Sequence, residues 1–265
     1  TPVVSSAASD VYKRQILLFF ILWAEGMDIF DAVNHAMTTF ATGGFSTKNA
    51  SIGYFESPLI QYTIILFMFI SATNFTLTYF ALKLDFKKIL NNEEFKIYLS
   101  FIVILTLIVF STLYMIDSSY AEETFRGAFF NIVSIVTTTG FTTADFTGWT
   151  DFITILFFIL MFFGACAGST SGGIKLVRHV VLLKNSYNEI KRQLHQSGVF
   201  TLKFNNRKVP NEVISNILAF MMLYVVIFSF GSIVMTFIGV DFETAIGSVA
   251  ATLGNVGPGI GDVGP

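Results

Sequence analysis

The sequence predicts an all-α integral membrane protein built from repeated units, each made of a membrane helix, a short re-entrant helix and a second membrane helix. The chain is 53% hydrophobic and only 13% charged, against roughly 25% charged residues in a soluble domain. Its apolar runs alternate between lengths that can cross a membrane and lengths of about half a crossing. Each short run ends in a glycine-rich turn. Composition, segment length and repetition therefore agree on the fold class.

The composition also excludes several classes of function. The formal net charge is −2, so the sequence predicts no nucleic-acid partner. The single cysteine, Cys166, excludes an internal disulfide. No nucleophile–base set or metal-ligand spacing stands out, and we expect neither an enzyme nor an organic cofactor.

The N-terminal region does not match a complete membrane helix. Residues 1–15 are small and polar, and we expect them to be disordered or foreign to the fold. The apolar run 16–23 would cover about 12 Å as a helix, less than half of a hydrocarbon core of about 30 Å. We interpret it as the tail of a truncated spanning helix. A signal peptide is the alternative, although no small-residue cleavage site follows the run.

The first short segment spans residues 28–40, and the acidic side chains of Asp28 and Asp31 suit its helix N-terminus. The apolar run 59–84 is long enough to span a membrane and predicts one continuous helix. Asn74 lies inside that run and is interpreted as an interhelical hydrogen-bonding residue. A second spanning helix is predicted over residues 97–116.

The same order then recurs. A short helix over residues 125–136 leads into a Thr-Thr-Thr-Gly-Phe turn. An apolar helix over 152–163 is interrupted at 164–173 and resumes over 174–183. A spanning helix over 213–238 precedes the third short segment, which begins at Asp241.

The short segments align without gaps on one glycine each. These glycines are Gly44, Gly140 and Gly257. Alanine lies twelve residues before each glycine, at Ala32, Ala128 and Ala245. An apolar residue lies fifteen before, at Ile29, Phe125 and Phe242. The shared spacing predicts three copies of one structural unit.

Charged residues predict the orientation in the membrane. The stretches 83–96 and 175–208 hold twelve of the 16 basic residues, which places them in the cytoplasm by the positive-inside rule. The opposite side collects twelve acidic residues against two basic ones, Lys48 and Arg126. We expect this acidic side to raise the local cation concentration.

The glycine turns are interpreted as parts of an ion-selectivity filter around a central pore. Irregular backbone inside a membrane is tolerated only where it is buried in protein or lines a water-filled path. Carbonyl oxygens of such backbone can replace the hydration shell of an ion. Since no turn carries clustered His or Cys, a hard cation is favoured.

The three turns resemble the filters of the bacterial Trk/Ktr potassium-transporter family, and its TrkH-type pore-forming subunits are the most similar. The stretch 168–175, Gly-Ser-Thr-Ser-Gly-Gly-Ile-Lys, resembles the intramembrane loop of that family. The resemblance covers residues 16–265 and implies four units around one pore. Residues 16–96 would be the second unit with its first helix truncated. Residues 97–208 would be the third, with a broken second helix and a cytoplasmic loop, and residues 209–265 the fourth without its last helix.

The resemblance implies that twelve residues form the filter and bind the potassium ion. They are Thr42, Gly43, Gly44, Phe45, Thr138, Thr139, Gly140, Phe141, Asn255, Val256, Gly257 and Pro258. These turns depart from the Thr-Val-Gly-Tyr-Gly of a potassium channel, which predicts looser selectivity.

The interruption at 164–173 is expected to lie under the filter as a gate. The implied gate residues are Gly164, Gly168, Ser169, Thr170, Ser171, Gly172 and Gly173. A glycine- and serine-rich break with few packing contacts would move at low cost. A close helix–helix contact is the alternative. A phosphate-binding loop is excluded because Ile174 follows Gly173 where such a loop requires lysine.

The predicted function is potassium uptake across the bacterial inner membrane by a multi-pass protein in contact with lipid. The membrane potential supplies about 2.3 kcal/mol per charge per 100 mV. The resemblance further implies a homodimer and a TrkA-type cytosolic nucleotide-binding regulatory subunit, with K⁺ as the transported ion. The alternative is a broken-helix, sodium-coupled secondary transporter of a small solute. Three repeated half-length helices on one side argue against it.

Overall fold

The computed structural model describes residues 2–195 and 198–265, which are mostly helical. The helices are α1 Pro2–Ala24, α2 Ile29–Phe40, α3 Pro58–Ser71, α4 Phe75–Leu82, α5 Phe86–Leu90, α6 Glu93–Ile116, α7 Ala121–Val136, α8 Asp151–Leu160, α9 Leu176–Leu194, α10 Asn211–Phe237 and α11 Phe242–Gly254. A two-stranded antiparallel hairpin, β1 Lys203–Phe204 with β2 Arg207–Lys208, follows α9. Short 3₁₀ turns cover Ser51–Tyr54 and Gly261–Val263.

Two helices in the described residues, α6 and α10, are individually long and apolar enough to cross a membrane. The long apolar helices predicted over 97–116 and 213–238 are therefore confirmed, although α6 starts earlier than expected. Its N-terminus is fixed at Asn92, whose side-chain oxygen accepts from the Phe95 amide at 3.0 Å. The disorder expected for residues 1–15 is not found, because α1 is continuous from Pro2 to Ala24.

Three short helices, α2, α7 and α11, lead to the glycine turns. Aspartate carboxylates cap two of them, since Asp28 accepts from the Asp31 amide at 2.7 Å and Asp241 accepts from the Thr244 amide at 3.0 Å. Helix α7 carries two glutamates in its first turn instead. Each short helix packs against a longer neighbour, α2 on α1, α7 on α6 and α11 on α10. The predicted positions of the three short helices are confirmed.

The continuous helix predicted over 59–84 is wrong. Helix α3 ends at Ser71, and the next helix begins at Phe75 with a bend of 116°. The Asn74 side chain accepts from the Thr76 amide at 2.8 Å and so starts α4. The backbone groups freed at the break bond to a distant segment. The Cys166 amide donates to the Ala72 carbonyl at 3.2 Å, and the Phe75 amide donates to the Gly168 carbonyl at 2.9 Å.

The second interruption is confirmed and lies between α8 and α9. Its two ends are held together by hydrogen bonds from the Gly164 amide to the Ile174 carbonyl, 2.8 Å, and from the Leu176 amide to the Ala165 carbonyl, 3.0 Å. We call residues 164–173 the break loop. Two helix breaks that are far apart in sequence thus meet and satisfy each other's backbone groups.

Candidate functional site

The three glycine turns end their helices with the same backbone conformation. We call them loop 1 (residues 41–47), loop 2 (137–143) and loop 3 (254–259). One residue in each loop has a left-handed backbone: Thr42 (φ 50), Thr138 (φ 55) and Asn255 (φ 54). Thr42 and Thr138 directly follow the cap of their helix, and Asn255 is itself the cap. Two residues later a glycine has positive φ, at Gly44 (φ 64), Gly140 (φ 83) and Gly257 (φ 115).

The hydrogen bonds that end the helices also repeat. The amide of each left-handed residue donates to the carbonyl three residues earlier, at 3.2, 3.0 and 3.1 Å in loops 1 to 3. The following amide donates to the carbonyl five residues earlier, at 2.8, 2.9 and 2.8 Å. This pair of bonds is the Schellman motif. Each loop therefore leaves its helix in the same way, and the repeat read from the sequence is a repeat in structure.

The loops lie side by side, in the order 1, 2, 3. A side chain at Gly44 would overlap the carbonyl oxygen of Thr139, and one at Gly140 would overlap the carbonyl oxygen of Val256. Each of these carbonyls belongs to the residue just before the next loop's glycine. Gly257 faces back toward Gly140. A Cβ added at Gly257 would lie 3.6 Å from the Gly140 Cα. Only glycine permits this backbone approach.

A cavity of about 630 Å³ is bounded by all three loops. Nine of the twelve predicted filter residues line it: Gly43, Gly44, Phe45, Thr139, Gly140, Asn255, Val256, Gly257 and Pro258. The Phe141 side chain is fully buried behind loop 2, whereas Phe45 is 77% exposed. The side chains of Thr42 and Thr138 are buried and bond to the break loop instead. The cavity is thus lined mostly by residues of the three loops, whereas the side chains of Thr42, Thr138 and Phe141 are directed elsewhere.

The break loop contacts the left-handed residue of every loop. The Thr42 hydroxyl lies 2.9 Å from the Thr170 carbonyl and 2.7 Å from the Ala41 carbonyl, so its single hydrogen is shared between them. The Gly172 amide donates to the Thr138 hydroxyl at 2.5 Å. Gly172 also packs against Asn255, because a Cβ at 172 would stand 2.7 Å from the Asn255 Cβ. These tertiary bonds explain how two β-branched threonines hold a left-handed conformation that normally strains them.

The other face of the break loop is bonded to α4, α6 and α9. The Asn74 amide group donates to the Ala167 carbonyl at 2.7 Å, and the Ala167 amide donates to the Glu94 carboxylate at 2.6 Å. The Lys175 ammonium donates to the Ser171 hydroxyl at 2.8 Å. The expectation that the break loop has few contacts is therefore wrong. Glu94 was missed because a glutamate at a helix start looks like an ordinary solvated residue.

Loop 1 is anchored on its outer side by charged and polar groups. Asp31, in the first turn of α2, pairs with the Lys48 ammonium at 3.0 Å and accepts from the Thr47 hydroxyl at 2.5 Å. Burial alone would raise the pKa of Asp31, but these two donors outweigh it and lower the pKa below its usual value. The carboxylate is charged and holds the end of loop 1 against α2.

The site offers main-chain oxygen rather than a transition-metal site. Among the residues that the structure describes, no group of three or more His, Cys, Asp or Glu side chains could hold a metal ion. Backbone carbonyls and hydroxyls are ligands for hard cations.

A family model described as TrkH, cation transport protein, matches residues 11–264. The chain is 38% identical to the Trk system potassium uptake protein TrkH of Escherichia coli (strain K12), across 99% of this chain and 56% of that protein. It is 32% identical to the Trk system potassium uptake protein TrkG of the same organism, across 89% of this chain and 49% of that protein. The crystal structure of the potassium transporter TrkH from Vibrio parahaemolyticus matches with a TM-score of 0.91 at 36% identity, covering 99% of this chain and 58% of that one. The chain thus spans about half the length of these relatives.

Proposed function

Since this chain belongs to the TrkH family of cation transport proteins, we propose that it conducts potassium ions across the bacterial inner membrane through a carbonyl-lined filter. The family consists of transporters, which agrees with the prediction from the sequence that this chain is not an enzyme. The observation that carries the proposal is the threefold repetition of one loop geometry around one cavity. The names of the similar proteins supply the ion.

The proposed filter is formed by the four central residues of each loop. Thr42 to Phe45, Thr138 to Phe141 and Asn255 to Pro258 would supply carbonyl oxygens toward one axis. Such oxygens replace the hydration shell of the ion. Glycine is required at positions 44 and 140 because a side chain would occupy the space of the neighbouring loop's carbonyl, and at position 257 because of its positive φ of 115. The family resemblance implies a fourth loop that completes the ring between loop 3 and loop 1.

We assign the break loop as the gate. It lies against the left-handed residue at the base of every loop, where it can obstruct an ion leaving the filter. Moving it breaks the bonds from Thr42 to Thr170 and from Gly172 to Thr138, in addition to those of Asn74, Glu94 and Lys175. Opening therefore has a real free-energy cost, which a regulatory partner can offset by binding the open state more tightly.

The proposed partners are a second copy of the chain and a TrkA-type cytosolic nucleotide-binding subunit. Helix α9 from residue 184 onward and the hairpin β1–β2 carry six of the twelve basic residues of the predicted cytoplasmic side: Lys184, Lys191, Arg192, Lys203, Arg207 and Lys208. Lys184 already pairs with Glu93 at the start of α6, and Arg192 pairs with Glu189 of its own helix. The positive charge of this stretch is a surface to which an acidic face of such a subunit can dock.

Potassium uptake is the direct test. We expect the complete protein to restore growth at low potassium in a bacterial strain that lacks its own uptake systems. Reconstituted into vesicles, it should conduct K⁺ or Rb⁺ in the direction of an imposed membrane potential, whereas empty vesicles should not. Saturable uptake of an organic solute without K⁺ flux would contradict the proposal and favour the sodium-coupled solute transporter.

A further inference from the structure

Loops 1 and 2 are each tied back to their own helix by a hydroxyl that the sequence did not single out. Thr38 lies six residues before Gly44, and its hydroxyl is 2.9 Å from the carbonyl oxygen of Phe45. Ser134 lies six residues before Gly140, and its hydroxyl donates to the carbonyl oxygen of Phe141 at 2.6 Å. In both loops the acceptor is the residue directly after the glycine. The same bond thus occurs at the same repeat position.

Loop 3 has no such bond. The equivalent helix position is Ala251, which carries no hydroxyl, and the residue after the glycine is Pro258. Loop 3 is instead held farther along the chain. The Gly259 amide donates to the Val263 carbonyl at 2.7 Å, and the Asp262 amide donates to the Thr244 hydroxyl at 2.9 Å. Its Pro258 carbonyl is left without the support that the other two loops have.

A second side-chain hydrogen bond, made by the residue nine positions before the glycine, is likewise present in loops 1 and 2 and absent from loop 3. His35 in α2 bonds through Nε2 to the Ser46 hydroxyl at 2.9 Å, and Asn131 in α7 donates to the Thr143 hydroxyl at 3.4 Å. The equivalent Ser248 donates only to the Ala245 carbonyl of its own helix, at 3.0 Å. Loops 1 and 2 are therefore braced twice by side chains from behind.

The bonds from Thr38 and Ser134 bear on ion binding because each holds the residue directly after a glycine that lines the cavity. Phe141 does not itself line the cavity, so the Ser134 bond acts by fixing the peptide next to Gly140. Ser134 is fully buried, so no water replaces its bond, and its hydroxyl has Phe141 as its acceptor. Thr38 is partly exposed and also lies 2.9 Å from the Asn34 carbonyl, so its single hydrogen is shared. The Ser134 bond is the stronger of the two.

We propose that Ser134, and to a lesser extent Thr38, are positioning residues that set the ion selectivity of the filter by fixing the backbone directly after Gly140 and Gly44. This inference rests on the proposed function. A loop whose backbone is fixed beside its glycine resists the inward movement needed to coordinate a smaller cation, so the two braced loops favour K⁺ over Na⁺. The unbraced loop 3 is the compliant part of the ring, which accounts physically for the looser selectivity that the sequence predicted.

The test is the K⁺/Na⁺ flux ratio of the complete protein in vesicles, because this ratio does not depend on how much protein is inserted. We expect Ser134→Ala to lower the ratio about fivefold, the change that corresponds to roughly 1 kcal/mol for one hydrogen bond. Ser134→Thr keeps the hydroxyl and should retain most of the ratio. The matched control is Ser232→Ala, since the Ser232 hydroxyl bonds at 2.9 Å only to the Phe228 carbonyl of its own helix. Its ratio should not change.

An unchanged ratio in Ser134→Ala, or an equal loss in Ser134→Thr, would overturn the inference. If Ser134→Ala does not accumulate in the membrane, Thr38→Val compared with Thr38→Ser decides by the same ratio. Wild-type protein without K⁺ flux would refute the proposed function itself, which separates the two failures.

Discussion

Replacing Gly140 with serine is expected to lower potassium affinity or K⁺/Na⁺ selectivity at least about fivefold, since backbone strain of this kind costs roughly 1–3 kcal/mol. Gly140 has φ 83, and any Cβ there would overlap the carbonyl oxygen of Val256 in loop 3. The substitution therefore strains loop 2 and displaces a carbonyl of its neighbour at once. The measurement is the concentration dependence of K⁺ uptake, with Na⁺ as competitor, in cells that depend on the complete protein.

Gly148→Ser is the matched control for this change. Gly148 lies in the same connection between α7 and α8, but the nearest atom to an added Cβ is the Asp145 carbonyl oxygen at 3.8 Å. This is ordinary contact, and we expect uptake like that of the wild type. If Gly140→Ser kept the wild-type affinity and ion preference, loop 2 would not be part of a filter.

Deleting residues 169–171 is expected to raise the potassium flux measured without any regulatory partner by about tenfold or more, because two bonds of roughly 1 kcal/mol each are lost. The deletion removes the Thr170 carbonyl that accepts from Thr42 at 2.9 Å, and the Thr170 hydroxyl that donates to the Ser71 carbonyl at 3.0 Å. The hydrogen bonds that join the ends of the break loop, at Gly164 and Leu176, are retained. Flux is measured in vesicles at a fixed membrane potential.

Thr170→Val separates the two contributions, because it keeps the length of the loop and the carbonyl that Thr42 uses. We expect it to raise flux less than the deletion. The K⁺/Na⁺ ratio of the deletion variant should stay near the wild-type value, since the glycines of loops 1 to 3 are untouched. A deletion variant that keeps this ratio without a gain in flux would identify the break loop as helix packing, the alternative to a gate.

The repeat and the position of the short helices could be predicted from the sequence because they depend on local spacing. Glycine is needed where backbone passes close to backbone. This need is visible in the sequence because Gly44, Gly140 and Gly257 recur at the same position of each repeat. The Schellman endings could not be predicted at Thr42 and Thr138. A β-branched residue disfavours the left-handed conformation, and the compensating bonds come from the break loop far along the chain.

The break between α3 and α4 could not be predicted for the same reason. The run 59–84 contains no glycine or proline, so local propensity favours one helix. The break is stabilised instead by the bond from Asn74 to the Ala167 carbonyl and by the bond from Phe75 to the Gly168 carbonyl. Tertiary partners that are distant in sequence, such as Asn74 and Ala167 with a separation of 93 residues, outweigh a local preference of a few tenths of a kcal/mol per residue.

The most direct test of the account is to locate the bound cation. Crystals of the complete protein soaked in Rb⁺ should show anomalous density in the cavity bounded by Gly44, Gly140 and Gly257, and exchange into Na⁺ should remove it. Density of this kind, adjacent to carbonyl oxygens of all three loops, is the result that the account predicts. Rb⁺ bound at the break between α3 and α4, with none among the loops, would contradict it.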